Sequence, residues 1–207
     1  MDAVQKGLTR FLLWAVFFIG FCGSVQAASI TTTFAGGNGQ PDGNMFDVTT
    51  FTNSLTVTAL DVHFATTTAF NLNVYTKSGT YVGSQTNSGA WTLAATGSAT
   101  GAGSGTPTFV DITDFVLPAN SLTGFYVDLD VDGIIYTDGF NTFSNADIQL
   151  DLGAGILGDF GSINVFSPRT WNGTIYYDVN SVPVPTTLLL IGFGLASFGL
   201  ASRTKSK

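Results

Sequence analysis

The alternation of apolar and polar residues over most of this chain predicts a domain built from short β-strands. Runs rich in Val, Ile, Thr, Phe and Tyr are separated by clusters of Gly, Asn and Asp, and helical periodicity is scarce there. The clearest strand spans 54–64, and its apolar residues change phase at Ala59–Leu60, which predicts a β-bulge at that point. We expect about nine or ten strands in all.

These strands predict an all-β fold, specifically an antiparallel β-sandwich of jelly-roll type in a single domain, 28–180. Asp132-Gly133 has the composition of a hairpin turn, so the segment 134–136 is expected to pair with the strand before it. The Gly- and Ser-rich stretch 97–105 is expected to be a loop.

The last 27 residues, 181–207, have a different character from the domain. An uncharged apolar stretch predicts a transmembrane helix over about 186–202. The basic residues Arg203, Lys205 and Lys207 follow it and favour a cytoplasmic C-terminus. A buried helix of the globular domain is the alternative, but the stretch is apolar on all sides rather than along one stripe.

Val182-Pro183-Val184-Pro185, followed by the glycine-punctuated apolar helix and the basic end, resembles the PEP-CTERM sorting signal of Gram-negative bacteria. The family motif carries Glu where this chain has Val184. The resemblance implies recognition by an exosortase, a membrane transpeptidase that would cut near Pro183–Pro185. It also implies anchoring to the membrane before processing, and then delivery of the domain to the cell envelope, the cell surface or the exterior.

The first 27 residues read as a secretory signal peptide. Lys6 and Arg10 precede the apolar run 11–21, and small residues suit cleavage between Ala27 and Ala28. An uncleaved anchor helix is the alternative, although the run is short for a membrane span. The sequence therefore predicts export of the domain through the inner membrane.

Several pieces of the domain, among them 43–48 and 166–177, are similar to a secreted β-domain that recurs ahead of such sorting tails. That resemblance covers most of the domain and implies no enzymatic activity.

The charge of the domain is strongly one-sided. Thirteen of the 14 acidic residues, all of them Asp, lie in 28–180 with only two of the seven basic residues, Lys77 and Arg169, which gives a net charge of −11. Such a surface repels nucleic acids and anionic membranes, and it is compatible with cations or a neutral polysaccharide. The same composition also serves simply to keep an extracellular domain soluble. The only Cys is in the predicted signal peptide, so packing alone must hold the mature domain together.

Asp128, Asp130 and Asp132, followed by Gly133, match the first half of a calcium-binding loop and suggest a weak Ca²⁺ site. The closing bidentate Glu is absent, and the same residues fit a strand with two Asp on its outer face before a turn. No other cofactor is indicated.

Aromatic residues offer flat surfaces on which a sugar could stack, with Trp91 and Trp171 as the main candidates and Tyr81 and Tyr126 as further ones. Core packing is the alternative for each of them.

Two further features concern catalysis and internal pairing. His63 and Asp61 share a strand face and could form a base and its orienting partner, but the sequence places no nucleophile beside them. Arg169 is expected to stack on an aromatic ring and pair with an Asp.

The sequence thus favours a non-enzymatic protein of the cell surface or extracellular matrix, and the resemblance to PEP-CTERM proteins implies a structural or adhesive role there, involving exopolysaccharide. The alternatives are a lectin-like carbohydrate-binding module and a secreted hydrolase with two converging Asp side chains.

Overall fold

The structure is a computed structural model, and it describes residues 26–34, 37, 41–158 and 164–180. The predicted sorting segment 181–207 and all but the last two residues of the predicted signal peptide lie outside this range. Within the described residues, no helix is long and apolar enough to cross a membrane. The predicted transmembrane helix, 186–202, is not among them.

The described residues form thirteen strands and one short 3-10 turn. The strands are β1 Gln26–Thr31, β2 Gly43–Thr50, β3 Ser54–His63, β4 Ala69–Ser78, β5 Thr92–Thr100, β6 Pro107–Leu117, β7 Leu122–Leu129, β8 Tyr136–Asp138, β9 Asn141–Ser144, β10 Ile148–Leu157, β11 Asn164–Phe166, β12 Arg169–Trp171 and β13 Gly173–Asn180; the turn is Ser88–Ala90. The prediction of an all-β domain is confirmed.

Eleven strands make one curled antiparallel sheet in the order β1-β13-β3-β6-β5-β4-β7-β2-β10-β11, with β9 also paired to β10. β8 and β12 form a separate two-stranded sheet. Neighbours in the sheet are mostly distant in sequence, so the topology is dominated by long-range pairs. β5 and β6 share a single residue pair, Gly97 with Ile112, and this is where the two halves of the sheet join.

The inner faces of the two halves bury a common hydrophobic core. Phe115 of β6 packs on Phe125 of β7 with 5.9 Å between ring centroids, and Phe46 of β2 stacks on Trp171 of β12 at 5.1 Å. Alternation along the strands places most core side chains inward, and the register shift between β3 and β6 brings Phe115 to the same side.

A smaller cluster covers the outer face of the second half of the sheet. Its buried members are Met45, Tyr81, Trp91, Tyr126, Ala154 and Ile156. The loop between β4 and β5 forms its cover and is fixed to β2 through Asp47, whose carboxylate accepts hydrogen bonds from Tyr81 N (2.8 Å) and Thr80 Oγ1 (2.6 Å).

Several local predictions can be compared directly with the strands. The bulge predicted in β3 is present, shifted to the register break between Val57 and Ala59. The predicted loop 97–105 is wrong in its first part, because β5 continues to Thr100.

The predicted hairpin at Asp132-Gly133 is also wrong. Gly133 N and Ile134 N both donate to Pro41 O, and β8 then pairs with β12 instead of β7. The segment after β7 is therefore held by distant parts of the chain.

Candidate functional site

The three carboxylates of the predicted calcium loop have separate partners. Asp128 Oδ1 accepts a hydrogen bond from Tyr126 Oη at 2.8 Å, while Asp130 accepts from Asn71 N (2.8 Å) and Asn71 Nδ2 (2.7 Å). Burial, followed by the nearby Asp128 carboxylate, raises the pKa of the Tyr126 phenol, which therefore remains a donor. Asp130 is thus hydrogen-bonded to Asn71, near the start of β4.

Asp132 has a neighbour that the sequence did not suggest, Asp42. Burial is the main cause that raises the pKa of Asp42 from 3.8 to about 6, and the adjoining Asp132 carboxyl adds to it. Asp42 Oδ2 accepts a hydrogen bond from Gly158 N at 2.6 Å, while Oδ1 is buried without a hydrogen-bond partner. Protonation of the Asp42 carboxyl, which the raised pKa favours, relieves the repulsion between the two acidic side chains.

Within the described residues, no group of three or more His, Cys, Asp or Glu side chains is arranged to hold a metal ion. The weak calcium site at Asp128, Asp130 and Asp132 gains no support from this geometry and stays a prediction.

The tryptophans proposed as sugar platforms are both buried. Trp91 is 8% exposed and donates from Nε1 to Ser84 O at 2.9 Å, under the β4–β5 loop. Trp171 is 1% exposed and belongs to the main core. Tyr81 and Tyr126 are also buried. None of these four rings presents a face to solvent, so all four residues pack in the core.

His63 and Asp61 do not act on each other in this structure. His63 is 1% exposed, and its Nε2 accepts a hydrogen bond from Gly105 N at 2.7 Å. Burial lowers the pKa of His63, which favours the neutral ring. Asp61 accepts from Tyr176 Oη instead, at 2.8 Å. The pair therefore lacks the contact that a base and its orienting partner need.

Arg169 makes the two contacts expected from the sequence. Its guanidinium lies 3.1 Å from Asp138 and 5.1 Å from the centre of the Tyr136 ring. Both partners belong to β8, so this arginine fastens β12 to β8 and serves the fold rather than a ligand.

The outer face of β13, β3 and β6 carries an aromatic pair above a carboxylate. Asp61 of β3 lies opposite Phe109 on one side and Thr174 on the other, while the next outward residue, Ala59, lies opposite Tyr176 and Asp111. Because Ala59 is small, the rings of Phe109 and Tyr176 meet across β3, edge to face, with 5.7 Å between centroids.

The two rings of this pair differ in exposure. Phe109 is 57% exposed, and Tyr176 is partly exposed. Asp61 beneath them is 8% exposed and accepts the hydrogen bond from the Tyr176 phenol. That hydrogen bond is the main cause that raises the pKa of Tyr176, so the phenol stays protonated and its ring is held in place.

A shallow polar groove of about 580 Å³ adjoins this pair along the outer face of β4, β5 and β6. Asn71, Asn73, Thr96, Ser98 and Asp111 contribute its polar lining. Asp111 is two residues after Phe109 on β6, so the groove and the ring pair form one surface, which we call the outer-face platform.

Sequence reasoning missed Phe109 and Tyr176 because both occur in ordinary strand patterns. The available signal was the alternation of β6, which places Phe109 on the polar phase with Asp111 and Thr113. A single exposed aromatic residue is common on protein surfaces, so this signal alone did not mark an interaction surface until the structure placed Tyr176 beside Phe109.

Of the predicted processing sites, only the signal-cleavage site lies among the described residues. Ala27 and Ala28 lie in β1 and pair with Asp178 and Tyr177 of β13. The motif Val182 to Pro185 and the basic residues at 203, 205 and 207 are outside the described residues.

No protein-family model matches this sequence, and no curated protein matches it either.

Proposed function

We propose that this chain is an exported, non-enzymatic protein that is sorted to the cell surface or extracellular matrix and has a structural or adhesive role there, in contact with exopolysaccharide. The N-terminal pattern 1–27 and the PEP-CTERM-like tail 181–207 support the route, with an exosortase as the processing enzyme. We also propose that the curled sheet is a sandwich of the jelly-roll type.

The observation that supports the adhesive role is a sheet whose exposed outer face combines aromatic and polar groups. The platform residues lie on β4, β5, β6, β3 and β13, each of which has a neighbouring strand on both sides, and not on loops. A surface fixed by strand pairing suits repeated contact with an extended polymer, because little ordering is needed on binding.

The secreted hydrolase is the weaker alternative. It requires two carboxyl groups that converge in a cleft. Asp42 and Asp132 are neighbours, but neither residue lines the shallow depression that contains Asp130 or the groove that contains Asp111. Nothing in the described part of the chain places a substrate against the Asp42–Asp132 pair.

The start of the domain is compatible with removal of the signal peptide. Gln26, at the start of β1, pairs with Val179, one residue before the end of β13. Cleavage after Ala27 would leave β1 with Ala28 to Thr31, which keeps its buried side chain, Ile30. The mature domain would therefore retain the pairing of this edge strand.

The proposal is tested by the intact mass of the protein recovered from the membrane and extracellular fractions of its native host. We expect an extracellular product that begins near Ala28 and ends near Pro183–Pro185. Replacing Pro183 and Pro185 by Ala should trap the precursor in the membrane. A product that keeps Lys207 in the membrane of the unaltered strain would contradict cleavage. A product that still carries Met1 in the cytosol would contradict export.

A further inference from the structure

We propose that the outer-face platform is a binding site for a neutral polysaccharide, with Phe109 stacking on the apolar face of a pyranose ring and Tyr176 supporting the Phe109 ring edge to face. This inference deepens the proposed adhesive function and rests on it for the kind of polymer, while the site itself is assigned from the geometry of the face. It replaces the buried tryptophans as the residues that would contact sugar.

The chemistry of the platform matches that of a sugar ring. A pyranose has an apolar face of C–H groups and a rim of hydroxyl groups, so a matching site needs an aromatic face beside hydrogen-bonding groups. Phe109 supplies a ring that is 57% exposed. Asp111, an exposed carboxylate, and the amides and hydroxyls of Asn73, Thr96 and Ser98 lie in the adjoining groove.

The ring pair is held in place by contacts within the protein. Tyr176 donates to the buried Asp61 at 2.8 Å and packs against Phe109, so its ring is fixed before any ligand arrives. Asp61, being 8% exposed, acts as a positioning residue rather than as a sugar contact. Preorganised rings lose little rotamer freedom on binding, which favours the bound state.

The negative charge of the groove selects among polymers. The described basic residues are Lys77 and Arg169. Lys77 Nζ donates to the backbone carbonyls of Ser78 and Thr80, and Arg169 pairs with Asp138. Neither lines the groove, whereas Asp111 does. Phosphate, sulfate or uronate groups would meet negative charge without a compensating cation, so an uncharged polymer fits best.

The proposal is tested by affinity electrophoresis of the full-length protein in non-ionic detergent. The gels contain a β-glucan, a galactomannan or dextran as neutral probes, and alginate as the anionic probe. We expect retardation by at least one neutral polymer and none by alginate. Phe109→Ala should weaken the apparent affinity about tenfold, as expected for the loss of a stacking ring, and Phe109→Tyr should restore it.

Val116→Ala is the matched control, because Val116 is also on β6 and is 60% exposed. This variant should bind like the parent protein. Tyr176→Ala should lose affinity as Phe109→Ala does, and unchanged far-ultraviolet circular dichroism would show that both variants remain folded. Because Phe109 is solvent-exposed, its truncation should leave the unfolding midpoint close to that of the parent.

Three results would overturn the assignment. The first is that none of the neutral polymers retards the parent protein, and the second is that Phe109→Ala binds as tightly as Val116→Ala. The third is that Phe109→Ala converts a dimer into a monomer in sedimentation, which would make this face a contact between copies of the chain. A protein that is exported and processed but binds no neutral polymer would remove the sugar site and leave the sorting proposal standing.

Discussion

At the residue scale, the raised pKa of Asp42 leads to a prediction about pH. The folded protein keeps this carboxyl protonated up to about pH 6, while the unfolded chain releases the proton near the ordinary value of 3.8. Stability therefore falls as the pH rises between these two values, because the folded state binds more protons than the unfolded state there. Above about pH 6 the ionised carboxylate remains as a fixed cost to the fold.

Asp42→Asn removes this cost while preserving the local contacts. The amide oxygen can accept from Gly158 N, and the amide nitrogen can donate to Asp132. We expect the unfolding midpoint of the variant, relative to the parent, to increase from about pH 4 to about pH 6 and then level off. Thermal unfolding of both proteins in a chelator across this range measures the difference.

Comparing the two proteins at each pH removes the contribution of His63, which makes stability rise with pH where Asp42 makes it fall. Burial lowers the pKa of His63, so its protonation on acidification opposes folding in both proteins alike. A difference between variant and parent that does not change with pH would show that Asp42 titrates normally in the folded protein.

Exposure is the part of the residue-scale analysis that the sequence could not supply. From the sequence, Trp91 and Trp171 suit a sugar-binding surface as well as a hydrophobic core. Only the pairing of distant strands decides that both are buried. Phe109 shows the converse, because it lies on the outward phase of β6 and its ring meets Tyr176 from a strand that is distant in sequence. Arg169 was predictable, since one arginine among many Asp and aromatic residues has few stable alternatives.

At the element scale, the single residue pair between β5 and β6 is the weakest-paired junction in the sheet order. At Gly97 an added Cβ would lie 2.4 Å from Asp111 O and 2.9 Å from the side chains of Val110 and Ile112. The close approach of the two strands therefore requires a residue without a side chain at this position.

Gly97→Ala should separate β5 from β6 and lower the free energy of unfolding by about 1–3 kcal/mol, a typical cost of overpacking. Urea unfolding followed by tryptophan fluorescence measures the loss, since Trp91 and Trp171 are buried. Gly89→Ala is the control, because its Cβ would meet only Asn87 Oδ1, at 3.5 Å. Equal stability of the two variants would contradict the steric role of Gly97.

The elements also show where local patterning is sufficient for prediction. In β3 the phase change of the apolar residues predicted a bulge, and the register breaks beside Ala59 in the pairs with both β6 and β13. The hairpin prediction at Asp132-Gly133 was wrong because the local composition suits a hairpin, whereas the amides of Gly133 and Ile134 donate to the distant Pro41 O. A local pattern predicts its own strand, but it does not predict which distant strand becomes the partner.

At the scale of the whole molecule, the dominant feature is the unbalanced charge of the domain. A net charge of −11 over 28–180 repels itself in the compact state, since only Lys77 and Arg169 oppose 13 carboxyl groups. Salt screens such repulsion over a Debye length of about 10 Å at 0.1 M. The ion pair between Arg169 and Asp138 is partly exposed, so its screening is a small opposing effect.

We therefore expect NaCl to stabilise this protein. Raising the concentration from about 0.01 M to about 0.3 M should raise the thermal unfolding midpoint by a few degrees, because the repulsion exceeds the one described ion pair. About 0.1 M CaCl₂ has the same ionic strength, so a larger rise in calcium would indicate specific binding, and Asp132→Asn should abolish that excess if the predicted loop is the site. A midpoint that falls with NaCl would mean that attractive pairs, rather than repulsion among the carboxylates, dominate the electrostatics of the folded domain.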